Sequence, residues 1–283
     1  MKPGIIVSFS LVIAMPVLAS GEHSQAVSDE TIQTQRQHLS ENTEGEGFGP
    51  QSPRDIDNHV GSNPVLFAEA PDYHRMNLCN IHFHKNAEHK GGEFTRYAGN
   101  GDGEGNQSGY RYSGELTADE LAPMEHPVCE NDHGSLQVGD TVEVHYVHST
   151  AKVSPGPTLA ACLSETLTNP QLRVESQVFV LVNDPAAADF GALTTVATRN
   201  GYEQAINIPS TTGKPVVYAG STTGPGYNEK GSPFAVTWAV RPQVMKVNIG
   251  SVGEWCQSNI FDENHGHGVR NLVTDAQLLS PIK

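Results

Sequence analysis

Short runs of β-branched and aromatic residues, separated by glycine and proline, make up most of the chain from residue 47 onward. Glycine and proline together supply about a sixth of all residues, which leaves little room for long helices. Runs of this kind are typical of β-strands joined by turns. The pattern therefore predicts a single, mainly β domain with long loops. The predicted strands span residues 80–84, 141–149, 177–183, 215–219 and 234–240.

The charge balance limits the classes of partner. The 283 residues include 32 acidic and 17 basic side chains, for a formal net charge of −15 at pH 7. Proteins that bind nucleic acid need clustered lysine and arginine to neutralise phosphates, so this balance argues against a nucleic-acid partner. Beyond residue 20 there is no apolar stretch of the roughly 18 residues that a membrane-spanning helix needs. We therefore predict no transmembrane segment in the mature chain.

The first residues have the pattern of an export signal. An apolar run follows a positive charge near the start, and small residues end the run at Ala19. We predict a secretory signal peptide over residues 1–19, cleaved after Ala19, and therefore a secreted or periplasmic protein. The alternative is a buried N-terminal helix. Residues 20–46 are polar without an apolar period, so we expect a disordered or loosely attached N-terminal arm before a domain at 47–283.

The cysteines indicate disulfide bonds. An even number of cysteines in an exported chain predicts two bridges. Four cysteines allow three pairings, and the sequence does not choose among them. The alternative is a zinc site, but no two of these cysteines have the close spacing of a zinc-ligand pair. The four are Cys79, Cys129, Cys162 and Cys256.

Histidines are concentrated in two of the predicted strands. The first segment, NIHFH at 80–84, has histidines two residues apart. Positions i and i+2 of a strand share a face, so His82 and His84 project together and can bind one metal ion. The spacing alone is also compatible with a solvated pair or with histidines whose hydrogen bonds are satisfied in a core.

The second segment is EVHYVH at 143–148. Strand alternation places Glu143 and His145 on one face and His148 on the other. If the two strands are neighbours, His145 joins the first pair and the site has three histidines. Three neutral imidazoles with an open fourth position are typical of catalytic zinc, whereas structural zinc sites are closed by four protein ligands.

Two polar residues are placed to orient these histidines. A metal-bound histidine usually donates its other N–H to a carboxylate, an amide or a carbonyl. Asn80 and Glu143 each precede a candidate ligand by two residues on the same strand face. Imidazole ligands also accept cobalt or cadmium, so the residues alone do not single out zinc. A competing interpretation is a His-rich periplasmic metal-binding protein that also uses the HGH segment at 265–267, whose composition otherwise indicates a solvated turn.

Several segments, in the same order along the chain, resemble motifs of the α-class carbonic anhydrases. Lys-Asn follows the HFH segment where the α-class has Trp-Gly, and the surrounding sequence at 79–93 looks more like the δ-class. The sequence thus resembles a δ-class carbonic anhydrase with an α-class-like zinc site. The matching segments are QSPRDI at 51–56, HFH at 82–84, EH at 88–89, EVHYVH at 143–148, YAGSTTGP at 218–225 and VTW at 236–238.

The resemblance implies a large, mostly antiparallel twisted sheet with few short helices, as in the α-class. It also implies a zinc enzyme that reversibly hydrates CO2 to bicarbonate and a proton, by attack of zinc-bound hydroxide. The partners would then be CO2 and bicarbonate. The alternative is a non-catalytic, carbonic-anhydrase-like binding domain, which would have lost a ligand; none is lost here. The sequence does not indicate an oligomeric state.

The resemblance also assigns individual residues. Thr223, paired with Glu88, would accept a hydrogen bond from zinc-bound hydroxide and orient it towards CO2, with Thr222 as the alternative. His59 is the nearest counterpart of the proton-shuttle histidine. Asn80 would orient His82, and Glu143 would orient His145. The implied zinc ligands are His82, His84 and His145.

Overall fold

A computed structural model describes residues 26–222 and 226–283 of the chain. The predicted signal peptide lies outside the described residues. Within those residues, no helix is both long and apolar enough to cross a membrane. The helices are α1 (Asp29–Glu41), α2 (Phe190–Leu193) and α3 (Ile249–Gln257), with 3-10 turns at Tyr73–Arg75, Leu159–Cys162 and Ala276–Leu278. The strands are β1 (Asn77–Lys85), β2 (Arg96–Tyr97), β3 (Tyr110–Arg111), β4 (Val128–Asn131), β5 (Gly134–Leu136), β6 (Thr141–Ser149), β7 (Leu172–Val182), β8 (Val196–Arg199), β9 (Tyr202–Ala205), β10 (Val216–Ser221) and β11 (Ala235–Asn248).

A five-stranded sheet organises the described chain, with strand order β1-β6-β7-β11-β10. All neighbours in it are antiparallel except β11 and β7, which run parallel. The remaining strands form three small two-stranded sheets: β2 with β3, β4 with β5, and β8 with β9. Each of the five predicted strands overlaps a strand of the large sheet. The prediction of a mainly β fold around a large, mostly antiparallel sheet is confirmed.

The central strands are covered on both faces. Every residue of β6 and β7 is buried, as expected for interior strands with packed layers above and below. On one face, Phe83 packs with Trp255 of α3 in a large apolar core. On the other face, Val147 and Trp238 belong to a second core. Complete burial of one such side chain contributes about 1.5–3 kcal/mol to folding.

Two disulfides link distant parts of the chain, which confirms the prediction of disulfides. Cys79 of β1 is bonded to Cys162, and Cys129 of β4 is bonded to Cys256 of α3. The first bridge ties an edge strand of the large sheet to a 3-10 turn. The second ties a small hairpin to the helix that follows β11. The structure therefore selects one of the three pairings that the sequence left open.

The N-terminal segment contains a helix that the sequence analysis did not predict. Ser28 caps α1 by accepting a hydrogen bond from the backbone N–H of Thr31. Ile32 and Leu39 are buried, and Leu39 packs against the C-terminal part of the chain. The rest of the docked face is polar, so no apolar period marks the helix in the sequence. Residues 29–41 are thus a packed helix rather than a disordered or loosely attached arm.

Candidate metal centre

Three histidines meet on the two neighbouring strands β1 and β6. His82 and His84 lie on one face of β1, and His145 of β6 lies directly opposite His82 in the strand register. One nitrogen from each ring lies within 4.8 Å of the other two. His82 Nε2 and His145 Nδ1 are 3.2 Å apart. The sheet register therefore places all three rings around one point.

The outward nitrogen of each ring is held by a fixed acceptor. The Asn80 amide is oriented because its Nδ2 donates to the Gly156 carbonyl, 3.1 Å away, which leaves Oδ1 to accept. Carbonyl and carboxylate oxygens can only accept in such contacts. Each outward nitrogen must therefore carry a proton. The three contacts are His82 Nδ1 to Asn80 Oδ1 at 2.6 Å, His84 Nδ1 to the Gly268 carbonyl at 2.7 Å, and His145 Nε2 to Glu143 Oε1 at 3.0 Å.

These hydrogen bonds decide which nitrogens face inward without a proton. In a neutral imidazole only one nitrogen carries a hydrogen, so the inward nitrogens have free lone pairs. Two lone pairs 3.2 Å apart, on His82 and His145, cannot hydrogen-bond to each other. A cation shared by the three rings would satisfy them. Three neutral imidazole nitrogens are a donor set that suits zinc, so the residues present fit that ion.

Burial keeps the two β1 rings neutral. It lowers the pKa of His84 to about 4, and it lowers the pKa of His82 well below its ordinary value, with the neighbouring histidines acting in the same direction. A protonated imidazole has no lone pair for a metal. Neutral rings at pH 7 are therefore ready to act as ligands without first losing a proton.

Glu143 is the centre of a buried hydrogen-bond network. Burial alone would raise the pKa of its carboxyl group, but the hydrogen bonds donated by His145 and His89 favour the charged form, and the pKa lies well below its ordinary value. Ser176 Oγ donates to Glu143 Oε1 at 2.6 Å, and His89 donates to the same oxygen through Nδ1 at 2.6 Å. The carboxylate is thus fixed in its charged form behind His145.

His89 has a structural place in this network. Its backbone N–H donates to Glu143 Oε2 at 3.0 Å, and its Nε2 accepts from the hydroxyl of Tyr218 at 2.7 Å. The atoms of His89, Glu143 and His145 are close enough to suggest a second metal group. Because they already hydrogen-bond to one another, they are not a free ligand set.

The other predicted site residues differ in how close they lie to the three histidines. Glu88 is buried near His84, with Oε1 3.8 Å from His84 Nδ1, and it accepts the backbone N–H of Arg270 at 3.0 Å. Thr223 lies outside the described residues, so its predicted pairing with Glu88 stays a prediction. Thr222 ends the β10–β11 pairing by donating its backbone N–H to Phe234. His59 is exposed, and the structure does not bring it into the histidine cluster.

The sequence pattern did not place two features at the site. The first is the Gly268 carbonyl, which has no side chain to signal its role. The second is His267, whose ring centroid lies 5.7 Å from that of His82 and 5.9 Å from that of His84. Its Nε2 lies 2.6 Å from Glu263 Oε2, and this hydrogen bond raises its pKa. The HGH spacing was visible, but the loop composition around it indicated a solvated turn.

Comparison with solved structures finds carbonic anhydrases. The Photobacterium profundum alpha-carbonic anhydrase shares 16% sequence identity, with 81% of this chain and 88% of that chain covered and a TM-score of 0.28. The Thermovibrio ammonificans alpha-carbonic anhydrase, in complex with the inhibitor sulfanilamide, shares 17% identity, with 79% and 84% covered and a TM-score of 0.28. A halotolerant carbonic anhydrase from Dunaliella salina shares 13% identity, with 77% and 84% covered and a TM-score of 0.29.

The family assignment rests on a different comparison. No curated protein matches the chain. A family model described as delta carbonic anhydrase matches residues 73–251, which is more than half of the chain. The matched span includes both strands that bear the three histidines. The chain belongs to the delta carbonic anhydrase family.

Proposed function

We propose that this protein reversibly hydrates CO2 to bicarbonate at a zinc ion held by three histidines. The ligands would be Nε2 of His82, Nε2 of His84 and Nδ1 of His145. The observation that carries the proposal is the set of three inward lone pairs, each fixed by an outward hydrogen bond. Three protein ligands leave a fourth position open, which is the arrangement of a catalytic rather than a structural zinc site.

The protein's share of the chemistry is to hold three neutral ligands in place. When bound in this way, zinc lowers the pKa of water to about 7, for which carbonic anhydrases are themselves the standard example. Asn80, Glu143 and the Gly268 carbonyl each keep one ring in the tautomer that presents a lone pair. A fixed acceptor also makes the ring a stronger base, so each contact supports metal affinity.

The proposal also assigns roles to residues around the three histidines. Thr223 would orient the attacking group towards CO2 with Glu88 as its acceptor, and Thr222 is the alternative. The burial of Glu88 beside His84 supports this assignment. Trp238, whose ring centroid is 4.9 Å from that of His145, would form part of an apolar wall beside the site. His59 would pass the proton to buffer.

The experiment is stopped-flow CO2 hydration with zinc analysis on the zinc-loaded protein, beside His82→Ala and His126→Ala. His126 is an exposed histidine, so its variant is the matched control. We expect one zinc per chain and activity in the parent and the control, and neither in His82→Ala. One bound zinc without activity in the parent would favour a non-catalytic binding domain. Several bound metal ions without activity would favour metal storage.

We also propose that the protein is secreted or periplasmic, after removal of residues 1–19. The two disulfides support an oxidising compartment, because such bonds are rare in the cytosol. The test is the N-terminal sequence of the protein purified from the periplasm or medium. A mature N-terminus next to Ala19 is expected, and an intact Met1 would contradict the proposal.

A further inference from the structure

Helix α1 lies outside the span matched by the family model, yet it contacts the segment 268–272, which hydrogen-bonds to residues of the metal centre. The docked face of α1 follows the spacing i, i+3, i+4, i+7, i+8 of one side of a helix. Its polar members are tied to the rest of the chain by hydrogen bonds. The residues of this face are Ile32, Gln35, Arg36, Leu39 and Ser40.

The segment on which α1 docks carries two backbone groups of the site. The carbonyl of Gly268 accepts a hydrogen bond from the ring Nδ1–H of His84, and the backbone N–H of Arg270 donates to the carboxylate of Glu88. These groups are two residues apart, so both depend on the path of one short stretch of chain. The stretch 268–272 lies outside the strands and helices, so contacts with other loops and with α1 hold it in place instead of a strand ladder. The backbone N–H of Val269 donates to the Gly105 carbonyl at 3.0 Å, and that of Asn271 donates to Asn228 Oδ1 at 2.8 Å.

Two side chains of α1 bind the end of this stretch. Gln35 Oε1 accepts from Asn271 Nδ2 at 2.6 Å, and Arg36 Nε donates to the Leu272 carbonyl at 3.1 Å. Gln35 is bonded on its other side as well, because its Nε2 donates to the Gly103 carbonyl at 2.9 Å. The amide of Gln35 thus bridges two loops that are far apart in sequence.

We propose that α1 is a positioning element of the metal centre. Gln35 and Arg36 hold Asn271 and Leu272, and through them keep the Gly268 carbonyl and the Arg270 amide where His84 and Glu88 need them. Neither side chain touches the site directly. The inference rests on the proposed zinc site.

The experiment compares Gln35→Ala with Gln33→Ala in the full-length protein. The two variants carry the same substitution on the same helix, but Gln33 is exposed. We expect Gln35→Ala to release zinc to a chelator roughly threefold to tenfold faster. This is less than the roughly 10- to 100-fold effect of losing a direct partner of a metal ligand, because Gln35 acts one contact further out. Gln33→Ala should match the parent.

Two further readouts separate positioning from general stability. The visible spectrum of the cobalt-substituted protein should change in Gln35→Ala, because the orientation of His84 changes. The amide of Arg270 should exchange its hydrogen faster in this variant, as followed by mass spectrometry of the peptide that contains it. A variant with a lower melting temperature but with the zinc release rate, spectrum and Arg270 exchange of the parent would overturn the proposal.

Asn271→Ala removes the same contact from the other side and leaves α1 intact, so it serves if Gln35→Ala fails to fold. The zinc release rates of the two single variants and the double variant form a double-mutant cycle. We expect the double variant to release zinc little faster than either single variant does. Fully additive effects on the release rate would contradict the shared role. Parent protein that binds no zinc overturns the proposed function together with this inference. Zinc binding in the parent, with equal release from Gln35→Ala and Gln33→Ala, overturns the inference alone.

Discussion

The metal centre is built from a strand side and a loop side. The strand side is the pair β1 and β6, whose hydrogen-bonded register brings His82, His84 and His145 together. The loop side is the segment 263–272, which supplies the Gly268 carbonyl and places His267 beside the cluster. All three candidate ligands come from the strand side. The Gly268 carbonyl of the loop side hydrogen-bonds to one of them, His84, at the ring nitrogen that faces away from the cluster.

The two sides are held in different ways. The strand side belongs to a five-stranded sheet with packed cores on both faces, so its geometry is fixed by many backbone bonds. The loop side is joined to β1 by few backbone bonds, such as that from Lys85 to the His267 carbonyl at 2.9 Å. We infer that the strand side determines which atoms bind the metal, while the loop side adjusts how firmly they are held.

The largest expected effect tests the register of the strand side. His145 and His148 lie on the same strand but on opposite faces, and both are buried. We expect His145→Ala to abolish tight zinc binding, because it removes one of the three lone pairs. His148→Ala should keep zinc and lower the free energy of unfolding by about 1–3 kcal/mol, the usual cost of a buried substitution.

The measurements are zinc content after dialysis and unfolding in urea. His148 donates its Nδ1 proton to the Tyr146 carbonyl at 3.0 Å. Removing its side chain should therefore affect the stability of the protein and not the binding of zinc. Zinc retained by His145→Ala, or lost from His148→Ala, would show that strand alternation does not define the site.

Glu143→Ala should have the next largest effect. The carboxylate accepts the N–H of His145, so its removal should weaken zinc affinity roughly 10- to 100-fold. The change also leaves the buried donors of His89 and Ser176 without their acceptor, so the protein should be less stable. Competition with a chelator measures the affinity. Glu254→Ala, on the exposed face of α3, is the control, and an affinity equal to that control would remove Glu143 from this role.

The strand side could be predicted because strand geometry is simple. Side chains alternate between the two faces of a strand, so the spacing of His82 and His84, and that of Glu143 and His145, indicates a shared face within each segment. The predicted segment at 141–149 coincides with β6. That the two strands are neighbours followed only from the family resemblance, because sequence spacing says nothing about which strands pair.

The loop side could not be predicted, for physical reasons that differ from residue to residue. The Gly268 carbonyl acts through the backbone, and every residue has one. His267 lies in a glycine-rich turn whose composition indicates solvent exposure, and only tertiary packing turns its ring towards the cluster. The helix α1 that supports the loop side was also missed. Gln35 and Arg36 attach this helix to the loop side through hydrogen bonds, and a polar docking face has no apolar period to find.

The smallest expected effect tests the loop side. The hydrogen bond that His267 Nε2 donates to the Glu263 carboxylate raises the pKa of His267 above its ordinary value in the folded protein. The pair therefore stabilises the fold fully below the unfolded-state pKa of about 6.5, and the contribution is lost as the pH rises through the folded-state pKa. Glu263→Gln should lower the free energy of unfolding more at pH 6 than at pH 9. The difference should stay below about 1 kcal/mol, because the His267 side chain is 40% exposed.

Urea unfolding of the metal-free protein at both pH values measures this difference, with Glu254→Gln as the exposed control. The same variants should be compared in a zinc competition assay, where Glu263→Gln should lose much less affinity than Glu143→Ala. Its carboxylate contacts His267, which is not a candidate ligand, whereas Glu143 contacts His145 directly. A loss as large as that of Glu143→Ala would give the loop side an equal part in binding the metal. A larger destabilisation at pH 9 than at pH 6 would mean that the charged pair does not form.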